Sequence, residues 1–82
     1  MIFVYILECA DKSFYTGITS DLKRRVINHN LRVKTPLQKS KIPVKLVYWE
    51  MFDTRIEAAK REREIKGWRR EKKINLINSK VK

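Results

Sequence analysis

The sequence predicts an α+β fold, a small three-stranded antiparallel sheet flanked by helices in the order β-β-α-β-α-α. Three observations predict it. Two stretches rich in β-branched and aromatic residues, Ile2–Glu8 and Phe14–Ile18, flank the polar Ala10-Asp11-Lys12-Ser13, the pattern of a hairpin. Thr54 and Glu57 match the S/T-x-x-E capping box, which opens a helix. The chain has 82 residues, 43% of them hydrophobic. That is enough for one core and too little for two, so residues 1–82 are expected to form a single domain.

Taken in order, the hairpin is followed by a helix from Leu22 to about Asn30, which Ser20 or Asp21 can cap. Leu31–Ile42 is basic and polar and is broken by Pro36, so it reads as a long surface loop. Val44–Phe52 reads as the third strand. The capped helix then runs to about Lys66, where Gly67 fits its C-terminus. From Trp68 to about Ser79 a helical pattern resumes, with Ile74, Ile77 and Val81 three and four residues apart.

Charge narrows the function. There are 20 Lys and Arg against 9 Asp and Glu, a formal net charge of +11 with a pI near 10.2. The excess lies in 20–45 and 55–82, outside the apolar strand-like stretches. Lys and Arg that neutralise phosphates gain affinity by releasing counterions, so a nucleic acid is the expected partner. A membrane surface would call for a basic helix with a broad apolar face, which 55–73 lacks. Ile2–Leu7 is too short for a secretory signal or a membrane span. One cysteine, Cys9, forms no internal disulfide, so a cytoplasmic, reducing compartment is expected. One Cys and one His exclude a structural zinc site, and two glycines exclude phosphate-cradling loops of the Walker or Rossmann type. Cys9 beside an apolar strand reads as core rather than as a nucleophile partnered by His29.

Two helices place polar residues on faces that should be apolar. In the first, Leu22, Arg25, Val26 and His29 fall on one stripe, so a cation and a histidine share the core-facing side. Arg25 either reaches out of that stripe or meets an anion at the edge of a cleft. In the second, Ala58, Glu62 and Ile65 align, and Glu62 needs a cation. That cation is Arg25, giving an ion pair, or a divalent metal, since Mg²⁺ accepts one carboxylate and keeps several waters. Spacing does not decide between them. Tyr5 and Tyr15 share a sheet face only if paired residue numbers sum to an even value, which an odd-length loop gives. Tyr48, Trp49 and Trp68 could stack on bases, although packing between sheet and helices is the simpler use.

Val4-Tyr5-Ile6-Leu7, then Tyr15-Thr16-Gly17-Ile18-Thr19, then Asp21-Leu22-Lys23-Arg24-Arg25 with His29-Asn30, then Arg61-Glu62-Arg63-Glu64-Ile65-Lys66-Gly67-Trp68-Arg69-Arg70 resemble the GIY-YIG nuclease superfamily, and within it the small stand-alone bacterial domains. Val-Tyr-Ile and Tyr-Thr-Gly stand where the family has its two naming tripeptides. The resemblance covers nearly the whole chain. It implies the β-β-α-β-α-α GIY-YIG domain and a metal-dependent endonuclease using Mg²⁺ or Mn²⁺. Tyr5 and Tyr15 match the motif tyrosines, Arg25 the catalytic arginine, His29 the helical histidine and Glu62 the metal-binding glutamate. Asn78 is a weak match to an asparagine that some members use, because the usual segment after the last helix is missing.

On this reading Lys34, Lys39, Lys41, Arg63, Arg69 and Arg70 hold a nucleic-acid backbone, DNA rather than RNA. Such contacts position a duplex without reading its sequence. Structure-selective or non-specific cleavage in repair or recombination is the expected function. The alternative is a non-catalytic basic nucleic-acid-binding module in which Glu62 and Arg25 merely pair.

Overall fold

The computed structural model describes residues 1–33 and 35–79. Three strands, β1 (Ile2–Glu8), β2 (Phe14–Thr19) and β3 (Lys45–Phe52), form one antiparallel sheet in the order β2-β1-β3. Helix α1 (Leu22–Asn30) follows β2, and α2 (Arg55–Lys66) and α3 (Arg70–Ser79) follow β3. The order is the β-β-α-β-α-α expected. Each boundary lies within two residues of its predicted place. The last helix starts at Arg70 rather than Trp68, because Gly67 and Trp68 turn back on the carbonyls that end α2.

Local chemistry accounts for the helix starts. The Asp21 carboxylate accepts from the Arg24 amide at 3.0 Å, and Thr54 accepts from the Glu57 amide at 3.2 Å while donating to the Glu57 carboxylate at 3.0 Å. Each satisfies an amide that the first helical turn leaves without a partner. The hairpin turn is closed by the Cys9 amide on the Ser13 carbonyl at 2.8 Å, with Lys12 in the left-handed region at φ 73°.

The sheet divides two cores. On one face Val4, Ile6 and Tyr48 meet Ala58 and Ile65 of α2, with Trp68, Leu76 and Ile77 packed around them. On the other face Tyr5, Leu7 and Cys9 meet Leu37 and Val44, with Tyr15 and with Leu22 and Val26 of α1. Cys9 is therefore a core residue, as its context suggested. A β-bulge makes both cores possible: Ile6 pairs with Tyr48 but Leu7 pairs with Leu46, leaving Val47 extra. Leu46 then faces α1, while Val47 and Tyr48 both face the α2–α3 side.

The loop between α1 and β3 is tied down at both ends. Val44 donates its amide to Asn30 Oδ1 at 2.7 Å, and Asn30 Nδ2 donates to the Val44 carbonyl at 3.3 Å. Within the loop, a 3-10 turn at Lys39–Lys41 brings Lys41 to Asp11, Nζ to Oδ2 at 2.8 Å, and to the Ser13 hydroxyl at 2.9 Å. No described helix is long and apolar enough to cross a membrane.

Candidate active site

Tyr5 pairs with Gly17 and Leu7 with Tyr15 across the hairpin, so paired numbers sum to an even value and both tyrosines lie on the α1 face. The Tyr5 ring crosses Gly17, where a Cβ would stand 2.6 Å from the Tyr5 hydroxyl oxygen and 2.8 Å from Cζ. Only a residue without a side chain leaves that space. From α1, His29 enters the same pocket. Its ring lies 5.2 Å from Tyr15 and 6.2 Å from Tyr5, centroid to centroid, and its Nε2 is 3.1 Å from the Tyr5 hydroxyl. Tyr5 and His29 are almost wholly buried.

The electrostatics of this pocket are set by burial and by two charges. Burial, above all, pushes the Tyr5 phenol well above its ordinary value; Tyr15 and the Glu62 charge raise it further, and Arg25 opposes them. Burial also lowers the His29 imidazole, and the Arg25 charge lowers it more. At neutral pH the pair is thus a phenol beside a neutral imidazole. Arg25 and Glu62, on separate helices, both reach the Tyr5 hydroxyl with their fields.

Among the described residues the Arg25 guanidinium forms no hydrogen bond or ion pair, while Glu62 holds the Lys66 ammonium at 3.1 Å. The Arg25–Glu62 pair weighed from spacing is therefore not formed. Arg25 lines an open cleft of about 220 Å³ with Thr19, Ser20, Asp21, Arg24 and Asn28. Arg24 and Asn28 lie off the stripe that the helical period marks, so the sequence carried no sign of their place in this cleft. Thr35 was also missed. Its hydroxyl lies 2.5 Å from His29 Nδ1, a contact between a helix and a loop with no periodicity to signal it.

The residues expected to hold a nucleic-acid backbone separate into groups. Lys39, Arg63 and Arg69 are exposed. Lys41 is engaged with Asp11, which that contact holds below the usual carboxylate range. Arg70 donates to the Lys12 carbonyl at 2.6 Å and covers the Phe14 ring at 4.6 Å. Lys34 lies outside the described residues. Asn78 lines a separate cleft with Phe14, Val47 and Ile77 of the α2–α3 core and does not join the Tyr5 pocket. Of the three aromatic residues considered for stacking, Tyr48 and Trp68 pack on the α2–α3 side. Trp49 packs edge-on to Phe3 at 5.7 Å and is 38% exposed.

No group of three or more His, Cys, Asp or Glu among the described residues could enclose a metal. Glu62 alone suits Mg²⁺ or Mn²⁺, which can take one carboxylate, waters and substrate phosphate oxygens. Its carboxylate is largely shielded, with 21% side-chain exposure, and already draws a cation in Lys66.

The chain belongs to the GIY-YIG family: the GIY-YIG catalytic domain matches residues 1–75. It is 49% identical over 76 residues to a UPF0213 protein of Staphylococcus saprophyticus, covering 93% of each chain. It is 50% identical over 74 residues to a UPF0213 protein of Haloquadratum walsbyi, covering 90% of this chain and 83% of that one. In solution the UPF0213 protein of Bacillus halodurans has a similar structure, with TM-score 0.63 and 38% identity over 98% of this chain and 86% of that one. The family is one of nucleases, which are generally dependent on divalent metals.

Proposed function

We propose that this protein is a divalent-metal-dependent endonuclease of the cytoplasm, cleaving DNA phosphodiesters in a structure-selective or non-specific way during repair or recombination. The observation that carries the reading is the pocket in which Tyr5 and His29 are hydrogen-bonded under the opposed fields of Arg25 and Glu62. Arg25, without a protein partner among the described residues, offsets negative charge that builds on the phosphoryl oxygens. Tyr5 orients the attacking water and passes its proton toward His29, which burial keeps neutral and able to accept it. Tyr15 packs against both rings and excludes bulk water. Glu62 would hold Mg²⁺ or Mn²⁺, which when bound supplies Lewis-acid stabilisation of the phosphate and the leaving oxygen.

Arg24 and Asn28 extend the Arg25 cleft, and Lys39, Arg63 and Arg69 offer exposed positive charge for adjoining phosphates. These contacts hold backbone, which is why cleavage without sequence preference is expected. The reading as a non-catalytic binder rested on an Arg25–Glu62 pair, and the unpaired Arg25 disfavours it.

The test is cleavage of nicked, branched and plasmid DNA with Mg²⁺ or Mn²⁺, comparing wild type with Glu62→Ala and Arg25→Ala. Both variants should lose metal-dependent cleavage while keeping most salt-sensitive binding. Absence of cleavage by the wild type across that panel would overturn the enzymatic reading, and cleavage undiminished in Glu62→Ala would overturn the site.

A further inference from the structure

The hydrogen bonds behind His29 carry a consequence for the pocket. Tyr5 Oη, His29 Nε2, His29 Nδ1 and Thr35 Oγ1 form a chain with contacts of 3.1 and 2.5 Å on the two sides of the imidazole. Beyond it, the Leu37 amide donates to Thr35 Oγ1 at 3.1 Å. A neutral imidazole carries one proton, on one nitrogen, so the chain runs in one of two directions.

If Nε2 carried the proton, it would donate to the Tyr5 oxygen, and the phenolic hydrogen would need another acceptor. Among the described residues the Tyr5 hydroxyl has no hydrogen-bond partner except His29 Nε2, and Tyr5 is 1% exposed. A buried phenol normally donates its hydrogen, and one left without an acceptor is disfavoured. If Nδ1 carries the proton instead, both ring nitrogens and the buried phenol are matched, and the hydrogen left over belongs to the hydroxyl of Thr35, a residue only part-buried. Tyr5 donates to the bare Nε2, and His29 Nδ1–H donates to Thr35 Oγ1. The two lone pairs of that hydroxyl then accept from His29 and from the Leu37 amide, which anchors Thr35 to its loop.

We propose that Thr35 is a positioning residue that fixes His29 as the Nδ1–H tautomer, so that its Nε2 can receive the Tyr5 proton. The role is that of the third member of a catalytic triad, which orients the base without touching substrate. The catalytic half of this inference rests on the nuclease reading above. In the reaction the water oxygen bonds to phosphorus as the ester P–O bond breaks. The water proton moves to Tyr5 Oη, and the phenolic proton moves to His29 Nε2. The imidazolium that results keeps Nδ1–H on Thr35 and later releases one proton to solvent, while the leaving oxygen takes one up from solvent.

His29 is the single histidine of the chain, so an untagged, ¹⁵N-labelled protein reports its two ring nitrogens without ambiguity in a long-range ¹H–¹⁵N correlation spectrum. Wild type should show a protonated Nδ1 and a bare Nε2 at neutral pH. Thr35→Val, which keeps the shape and removes the hydroxyl, should shift the imidazole toward Nε2–H. Thr35→Ser should keep the wild-type pattern. In the cleavage assay Thr35→Val should lower kcat roughly 10- to 100-fold with KM unchanged, the range for partners that orient a functional imidazole from behind, and Thr35→Ser should restore it. A bare Nδ1 in wild type, or the same tautomer in wild type and Thr35→Val, would overturn the assignment. A tautomer shift in Thr35→Val with full kcat would overturn the catalytic role. If the tautomers behave as expected but wild type cuts no DNA, the nuclease reading fails with the catalytic role, and the hydrogen-bond assignment stands.

Discussion

Two polar clusters lie on opposite faces of the same sheet, and they are built to opposite rules. On the α2–α3 side Arg61 grips Glu50 through two hydrogen bonds of 2.9 Å, also bonds Glu64, and lies over the Trp68 ring at 5.1 Å. Tyr48 donates to the same Glu50, and burial with that carboxylate pushes its phenol up to about 12. There, charge meets charge in the forked geometry that suits guanidinium and carboxylate. On the α1 side Arg25 has no partner among the described residues, and the Tyr5 phenol rests on a neutral imidazole. A saturated network fixes β3 to α2; an unsaturated one is ready for charge to arrive with a substrate. Buried polar residues by themselves do not mark a site. The imbalance does.

Removing the Tyr5 hydroxyl should give the largest effect that this contrast implies. Tyr5→Phe should reduce cleavage by roughly 10²–10⁴-fold, the usual scale for a general acid–base group, and should lower stability by about 1–3 kcal/mol because buried His29 Nε2 loses its partner. Gly17→Ala should come next, because its Cβ would fall 2.6 Å from the Tyr5 oxygen and must displace that ring. It should cost about 1–3 kcal/mol in urea melts, as overpacking does, together with most of the cleavage. Equal activity in Gly17→Ala and wild type would show that the Tyr5 position is unimportant.

Arg61→Met tests the other side. It leaves Glu50 without its fork and should lower stability by roughly 1–2 kcal/mol, discounted because the pair is partly solvated. Binding of DNA should be nearly unchanged, and cleavage by the folded fraction should persist. Loss of cleavage without loss of stability would place Arg61 in the active pocket and erase the contrast.

Acidification separates the two sides further. The folded His29 resists protonation, whereas the unfolded chain takes up a proton near the ordinary histidine value of about 6.5. The stability it contributes is present above that pH and is lost as pH falls through it. Melting temperature should drop between pH 7.5 and 5.5 in wild type and drop less in His29→Gln; parallel curves would contradict the buried neutral imidazole. The smallest effect is expected at Lys12, whose left-handed backbone suits glycine. Lys12→Gly should raise stability by about 0.5–1 kcal/mol, measured in urea, and leave cleavage alone.

Most of the fold was legible because its signals are local. The Thr54–Glu57 box, the Asp21 cap and the β-branched and aromatic run of Ile2–Glu8 each depend on neighbours within four residues. The site was half legible for the same reason: helical period alone marks Arg25, His29 and Glu62 as misplaced polar groups. What escaped depends on contacts between distant segments. That Arg25 stays apart from Glu62, and that Lys41 holds Asp11, follows from how helices and loops are set on the sheet, whereas Glu62 on Lys66 is a local pair one helical turn apart. Thr35 belongs to that class, six residues beyond His29 in a loop that no pattern describes. The Val47 bulge, which moves Leu46 and Tyr48 to opposite cores, likewise leaves no trace in an apolar run.

The side-chain amide of Asn30 imitates a strand neighbour, offering one donor and one acceptor to the two backbone groups of Val44. It acts as a clasp that closes the intervening segment into a ring, and from inside that ring Thr35 reaches His29, Leu37 enters the Tyr5 core and Lys41 meets Asp11. One amide side chain thus sets the frame for a loop that in turn sets an imidazole, so the support of His29 begins one residue beyond it on its own helix.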